Sequence, residues 1–368
     1  MDQSKSERQS LTTAKRIVVK VGSKVILKEQ GQPDALRMQS LCEELGEFQK
    51  KGYEMSLVSS GAVGAGLDAL GVEQRPTDIA DLQMAAAIGQ LQLMGLYGNL
   101  FATHACHIGQ VLLTHDVLKD HERHLNARNT LLHLISHKII PIINENDTIS
   151  TEEIKFGDND VLAALVAILI DADALIILST TDGLQQPVED EGSQRVSMLS
   201  SIDSSVFDWV NDRADPLSTG GMKSKLQSAE LAAQNGIPVI IADGRNNHIL
   251  HDILDGADVG TFICPKDRSI STRQKWIAFF NRAEGVIHID EQQAEALRAG
   301  ASLRSEHITH QEGLFGIGAM VEIMGNTGER IGRGLVEITS TQLELIRNKE
   351  SNRNGSPVIH GDNLVLFT

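Results

Sequence analysis

The chain has 368 residues, 41% hydrophobic and 22% charged, enough for a large core and more than one domain. Its 33 Lys+Arg against 49 Asp+Glu leave a formal net charge of -16. That field repels polyanions and argues against non-specific binding to nucleic acid or an anionic membrane, so an anionic small substrate would need local lysines and backbone amides.

Three cysteines, Cys42, Cys106 and Cys264, stand far apart with no C-x-x-C pair. Neither a structural zinc site nor a disulfide framework is expected, and a reducing cytoplasm fits best. No apolar run reaches membrane-spanning length, the longest being broken near Asp171 and Asp173. Residues 1–15 open with MDQSKSERQSLTTA, lack the apolar stretch of a signal peptide, and are expected to be a disordered tail.

From Arg16 apolar strands alternate with amphipathic helices. The predicted strands are RIVVKVG (16–22), EMSLVSSG (54–61), CHIGQVLLT (106–114), KIIPIINEND (138–147), ADALIILST (172–180) and PVIIADG (238–244). A predicted helix, ALRMQSLCEELGEFQKK (35–51), sets Leu36, Leu41, Leu45 and Phe48 near one face. Continuous Val/Ile/Leu strands between helices imply an α/β fold over residues 16–266, a three-layer αβα sandwich around a mostly parallel sheet. Ligands of such sheets sit at the carboxyl ends of the strands. The polar punctuation lies there: KVGSK, SSGAVGAG, NEND and STTDG. Residues 267–284 form a basic, then aromatic linker. Residues 285–368 change to short β-like pieces with helices near Glu291–Arg298 and Ser340–Arg347, a small β-rich domain.

Neither G-x-x-x-x-G-K-[ST] nor G-x-G-x-x-G occurs, so no P-loop or dinucleotide-binding turn is written. Three glycine-bearing turns nonetheless follow a strand or open a helix: Lys20–Ser23, Ser59–Ala62 and Thr219–Lys225. Singly, each is a helix cap or tight turn. Together on one sheet edge they favour an anion site, because glycine admits a ligand to the backbone and helix starts attract anions. Lys20 inside an apolar strand is costly to bury unless it faces an anion or a carboxylate; otherwise it reaches water at the strand end. Lys225 follows the Thr-Gly-Gly turn and can point back at what that turn holds. Two ammonium groups converging on one anion suit a transferring phosphoryl group.

The stretch INENDTISTEEIKFGDND (143–160) carries six acidic side chains and one lysine. It fails the calcium-loop pattern, since Val161 and Leu162 follow Asp160 with no glycine. Glu152 and Glu153 read as a solvated loop face, and Asp158 as a cap for the helix beginning near Asp160. Asp147, Asn159 and Asp160 flank the edge where both lysines should lie. One carboxylate there could hold a substrate ammonium, and another could fix the lysines; Asn159 and backbone amides are expected to read an anionic end. The histidines His115, His121 and His124 offer no metal-site spacing, and no metal site is expected.

VVKVGSKV, LVSSGAVGAG, HERHLNARNTLL, IIPIINEND, IKFGDND and TGGMKSKLQSAELA together resemble the glutamate 5-kinases of the amino-acid kinase superfamily. The resemblance runs from about Ile17 through a C-terminal part similar to a PUA domain. It implies ATP-dependent phosphorylation of the L-glutamate γ-carboxylate, the first step of proline biosynthesis. It further implies Mg²⁺, feedback inhibition by L-proline, a homo-oligomer (dimer or tetramer), and hand-off to glutamate-5-semialdehyde dehydrogenase. Carried over, Lys20 and Lys225 stabilise the phosphoryl group and Asp160 organises them. Ser60, Asp147, Asp158 and Asn159 bind glutamate. Lys20, Gly22, Ser179, Thr180 and the turn Thr219, Gly220, Gly221, Met222, Lys223, Ser224, Lys225 bind ATP.

Two departures from the family pattern stand out. Ser179-Thr180 stands where Thr-Asp is usual, with Asp182 two residues on, and Lys24 replaces a small residue. Two other readings stay open: another small-acid kinase of the same fold, and RNA binding through the C-terminal domain. Residues 281–368 carry 8 Lys+Arg against 12 Asp+Glu, a net of -4, which counts against RNA.

Overall fold

The computed structural model describes residues 7–114, 121–149, 159–188, 192–210, 221–266, 283–348 and 357–367. They divide into two compact units. The first draws on residues 7–114 and 124–266, the second on 283–348 and 357–367 together with 121–123.

In the first unit the strands are β1 (Arg16–Val21), β2 (Glu54–Val58), β3 (His107–Leu113), β4 (Ile139–Glu145), β5 (Ala174–Ser179), β6 (Gln185–Val188), β7 (Gly192–Arg195), β8 (Met198–Leu199), β9 (Val239–Asp243) and β10 (Thr261–Ile263). The helices are α1 (Ser23–Ile26), α2 (Ala35–Lys50), α3 (Ala62–Ala69), α4 (Ile79–Thr103), α5 (His121–Ser136), α6 (Asn159–Leu169), α7 (Ser204–Asp208), α8 (Met222–Gln234) and α9 (Ile249–Leu254). Eight strands make one sheet in the order β3-β4-β2-β1-β5-β9-β10-β8. Neighbours from β3 to β9 pair parallel, and β10 alone runs antiparallel to β9. β6 and β7 form a separate antiparallel pair. All six predicted strands are present. In five of them the unbroken apolar runs follow from burial on both faces, complete along β9 and nearly so along β1 and β4, whereas in the edge strand β3 only Leu113 is buried.

Strand alternation then decides the position of Lys20. Ile17, Val19 and Val21 join the core with α2 and α4. Lys20 lies in the opposite pleat and meets the start of α6, which packs on β1, β2, β4 and β5. In α2 the buried apolar side chains are Met38, Leu41, Cys42, Leu45 and Phe48, at helical spacing. Leu36 is 80% exposed and belongs to the other side, a correction to the predicted face.

Residues 7–14 also differ from the expected loose tail. Arg8 is buried and donates to the carbonyls of Ala257 (3.2 Å), Val259 (2.9 Å), Ser197 (2.7 Å) and Gly260 (3.2 Å), while Leu11 enters the core. One guanidinium carries enough donors to tie four carbonyls, and a polar-looking segment gives no hint of that.

In the second unit β11 (Gly285–Ile289), β13 (Ile308–Glu312), β14 (Met320–Gly325), β15 (Arg330–Leu335) and β17 (Leu364–Leu366) form a sheet ordered β13-β11-β14-β15-β17. β12 (Leu303–Arg304) pairs with β16 (Pro357–Ile359). Helices α10 (Glu291–Arg298) and α11 (Ser340–Arg347) lie where the sequence set them. Ile287, Ile289, Leu297, Val321, Ile323 and Leu343 are among its core. β13, reading ITHQE and largely exposed, was not predicted, because only Ile308 is buried. Among the described residues no helix is long and apolar enough to cross a membrane.

Candidate active site

At the carboxyl edge of the first sheet, Asp160 sits with no exposure to water. Its Oδ1 lies 2.6 Å from Lys20 Nζ and its Oδ2 2.9 Å from Lys225 Nζ. Each side chain comes from a different element: the end of β1, the first turn of α6, and the first turn of α8. A carboxylate in a helix's first turn is favoured by the helix dipole. The two lysines are almost as buried, at 4% and 6%. Together the three side chains carry one net positive charge in a place of low dielectric, where it acts strongly on an anion. Gly22 lies beside them. A Cβ added there would sit 3.9 Å from Lys20 Nζ, so the glycine leaves the flank of that ammonium open.

A second group lies at the ends of β2 and β4. Asn159 Nδ2 donates to Ser59 O (2.6 Å), Asn144 Oδ1 (2.6 Å) and, more weakly, Ser60 Oγ (3.3 Å). Asn144 Oδ1 also accepts from Glu145 N (2.9 Å), and Asn144 Nδ2 donates to Gln90 Oε1 (2.7 Å). Ser59 Oγ and Tyr97 OH are 3.0 Å apart. Burial pushes the Tyr97 phenol well above its ordinary value, so it stays a neutral hydrogen-bonding group. Gln90, Tyr97 and Asn144 were not singled out from sequence. Gln90 and Tyr97 stand seven residues apart in α4, hence on one face, but neutral residues in a helix give no local signal.

The stretch SSGAVGAG, which begins with the expected anion turn Ser59–Ala62, holds glycines of two roles. Gly61 has φ +95° and caps α3, a conformation that favours glycine. Gly66 serves packing instead, since a Cβ there would collide with the Ala85 carbonyl of α4.

Ser179 ends β5 in register with Asp243 of β9. Arg245 NH2 donates to Thr180 O (2.8 Å) and lies 2.6 Å from Asp243 Oδ2. Burial pushes the Asp243 carboxyl up, but hydrogen bonds and charge from Arg245, with the charge of Arg37, hold it below the ordinary carboxylate range. So an ionised carboxylate adjoins Ser179-Thr180, contributed by another strand. Asp182 instead lies exposed, 3.7 Å from Arg195.

Of the other expected positions, Asp147 is half-buried in the turn after β4, Met222 and Ser224 are half-buried at the start of α8, and Gly221, Lys223 and Lys24 are exposed. Asp158, Thr219 and Gly220 lie outside the described residues. Both side-chain amide hydrogens of Asn159, expected to read an anionic end, go to protein acceptors, Ser59 O and Asn144 Oδ1.

A family model, the amino acid kinase family, matches residues 15–243, and a PUA domain model matches residues 285–356. The chain is 37% identical to a glutamate 5-kinase of Marinomonas sp., over 98% of this chain and 99% of that one. It is 38% identical to a glutamate 5-kinase of Methylococcus capsulatus over the same shares. Among solved structures, a UMP kinase from Bacillus anthracis aligns at 15% identity and a TM-score of 0.48, covering 69% of this chain and 97% of that one.

Proposed function

The chain belongs to the glutamate 5-kinases of the amino acid kinase family, and from that premise we propose how its residues carry the reaction. It transfers a phosphoryl group from ATP to the γ-carboxylate of L-glutamate, giving γ-glutamyl phosphate and ADP, the entry to proline biosynthesis. The acceptor carboxylate is ionised at neutral pH, so no general base is required. Catalysis then consists of in-line positioning and of neutralising charge on the phosphoryl oxygens.

The observation that carries the assignment of roles is the shared carboxylate of Asp160 between Lys20 and Lys225. Lys20 and Lys225 bind the transferring oxygens, and Asp160 holds the two ammoniums at fixed separation before substrate arrives. Gly22, Ser179, Thr180 and the turn from Thr219 to Lys225 take the nucleotide. Ser60, Asp147, Asp158 and Asn159 take glutamate, with Asp147 on its ammonium. In the described part of this centre one carboxylate is already bridged by two ammoniums. Mg²⁺ carried on the phosphates of ATP would supply further charge neutralisation beside Lys20 and Lys225.

Feedback inhibition by L-proline, assembly into a dimer or tetramer, a cytoplasmic location and hand-off of the product to glutamate-5-semialdehyde dehydrogenase complete the proposal. All three cysteines are free thiols, which suits a reducing compartment. An acyl phosphate is a reactive mixed anhydride, which favours direct transfer to the next enzyme. The test is a hydroxamate assay with ATP, Mg²⁺ and L-glutamate, in which hydroxylamine traps the acyl phosphate. Hydroxamate that forms with another amino acid and not with glutamate would sink the reading.

A further inference from the structure

The identity of every amide atom around Asn159 can be assigned, because both ends of the bond chain are backbone groups. Ser59 O is a carbonyl and can only accept, so the Asn159 atom 2.6 Å away is Nδ2. The Glu145 amide can only donate, so the Asn144 atom 2.9 Å away is Oδ1. Asn144 therefore takes a hydrogen from Asn159 with Oδ1 and gives one to Gln90 Oε1 with Nδ2. An amide nitrogen has two hydrogens. Those of Asn159 go to Ser59 and Asn144, leaving Oδ1 as the side-chain atom with capacity for a ligand. An oxygen acceptor attracts an ammonium and repels a carboxylate.

From this chain of bonds we infer that Gln90 is a positioning residue of the acceptor site. Acting through Asn144, it locks the Asn159 amide so that Oδ1 faces the ligand and reads the α-ammonium of glutamate. Without an acceptor at Gln90, Asn144 Nδ2 loses its partner, and a rotated Asn144 would offer Asn159 a donor in place of an acceptor. The same helix secures the opposite wall, since Tyr97 holds Ser59, whose carbonyl is the other partner of Asn159. The inference rests on glutamate being the acceptor.

The test compares Gln90→Met, which removes the acceptor at similar volume, with Gln90→Glu, which keeps an oxygen there. Gln90→Met should raise the glutamate KM about tenfold, the usual cost of one unsatisfied buried polar group. Its kcat and ATP KM should stay within about twofold, as for an interaction made equally in ground and transition states. Gln90→Glu should stay close to the parent enzyme. Glutarate, which is glutamate without the ammonium, is then used as a competing inhibitor, and its inhibition constant should be the same in parent and Gln90→Met. Glutarate binding that weakens in step with glutamate overturns the inference, because the amide would then serve the carboxylate end or merely support the fold. So does an unchanged glutamate KM, or a rise confined to ATP. If Gln90→Met fails to fold, a tenfold loss of glutamate affinity in Gln90→Glu overturns it, and parent-like affinity there upholds it. A parent enzyme that makes no glutamyl hydroxamate refutes the acceptor itself, a failure distinct from that of the relay.

Discussion

A carboxylate removed from water costs several kcal/mol unless charge meets it, and Asp160 is met by two ammoniums at 2.6 and 2.9 Å. Asp160→Asn leaves both of them facing a neutral amide. The expected loss of stability is about 3–5 kcal/mol, the range for breaking a buried pair by removing one partner. Lys225→Ala leaves Asp160 paired with Lys20, so its stability should fall less, while kcat drops on the order of a hundredfold through loss of a transition-state contact. Urea unfolding and hydroxamate formation, measured on both, separate the two roles; an Asp160→Asn enzyme as stable as the parent would remove its organising role. These three residues were singled out in the sequence, because a lysine inside an apolar strand demands a partner, Lys225 follows the Thr-Gly-Gly turn, and Asp160 flanks the edge where both lysines should lie. Asn144, Gln90 and Tyr97 were not, since a neutral amide or phenol becomes specific only through its three-dimensional neighbours. Asp147 follows β4 at the same edge, and as a holder of the substrate ammonium it makes a separate prediction. Asp147→Asn should raise the glutamate KM roughly ten- to a hundredfold, the worth of a charge-assisted hydrogen bond, and leave the ATP KM unchanged. If proline overlaps the glutamate pocket, its inhibition weakens in parallel; a rise in the ATP KM would move Asp147 to the nucleotide side.

Helices bring these residues together, and α4 shows how. It packs against α3 at backbone distance: a Cβ on Gly66 would strike the Ala85 carbonyl, and one on Gly89 the Ala62 carbonyl. Gly89 directly precedes Gln90, so the spacing of the two helices sets the depth of the amide relay. Gly89→Ala should cost about 1–3 kcal/mol through overpacking. It should also raise the glutamate KM while sparing the ATP KM, read by urea unfolding and steady-state kinetics; a variant with parent values in both would show that the helices separate freely. The six parallel strands from β3 to β9 were legible, five of them because doubly buried strands read as unbroken apolar runs; β8 and β10, two and three residues long, were not. β13 and the β6–β7 pair were not, because mostly exposed residues leave no hydrophobic period. In the second unit the β14–β15 pair carries its own electrostatic support. Glu322 accepts from Arg330 and Arg333, each at 2.7 Å. Burial raises this carboxyl, but the two guanidiniums outweigh it and hold it below its ordinary 4.5. A group whose value is lowered by folding contributes stability above the unfolded value and loses it as pH falls through the folded one. The urea midpoint of the second unit should therefore decline as pH drops below 4.5, and less steeply in Glu322→Gln; equal slopes would show the pair adds nothing.

Across the whole molecule, chemistry and anchoring are distributed unevenly. Every residue assigned to the reaction lies before residue 226, and the second unit has its own sheet and its own core. With a net charge of -4 over residues 281–368, that unit carries no surplus of positive charge for a polyanion, so RNA binding has no electrostatic support. The two chain ends then make opposite predictions. A chain ending at Arg268 should fold and form hydroxamate, because it loses no residue of either substrate site. A chain lacking residues 1–14 should be destabilised, although it also keeps the whole site. It would lose Leu11 from the core, and with Arg8 the donors to four backbone carbonyls from residues 197 to 260. Phe262 N, Val259 N and Arg195 NH1 still serve the carbonyls of Ser197, Ala257 and Gly260, so the largest single cost is that of Val259 O losing its donor, about 1–3 kcal/mol where water cannot replace it. Thermal unfolding and hydroxamate formation on both shortened chains decide the matter. If the chain ending at Arg268 folds yet is inactive, the second unit takes part in chemistry and the separation of roles is wrong. If the chain without residues 1–14 is as stable as the full protein, the Arg8 anchor is dispensable and those residues are the loose tail that their composition suggests.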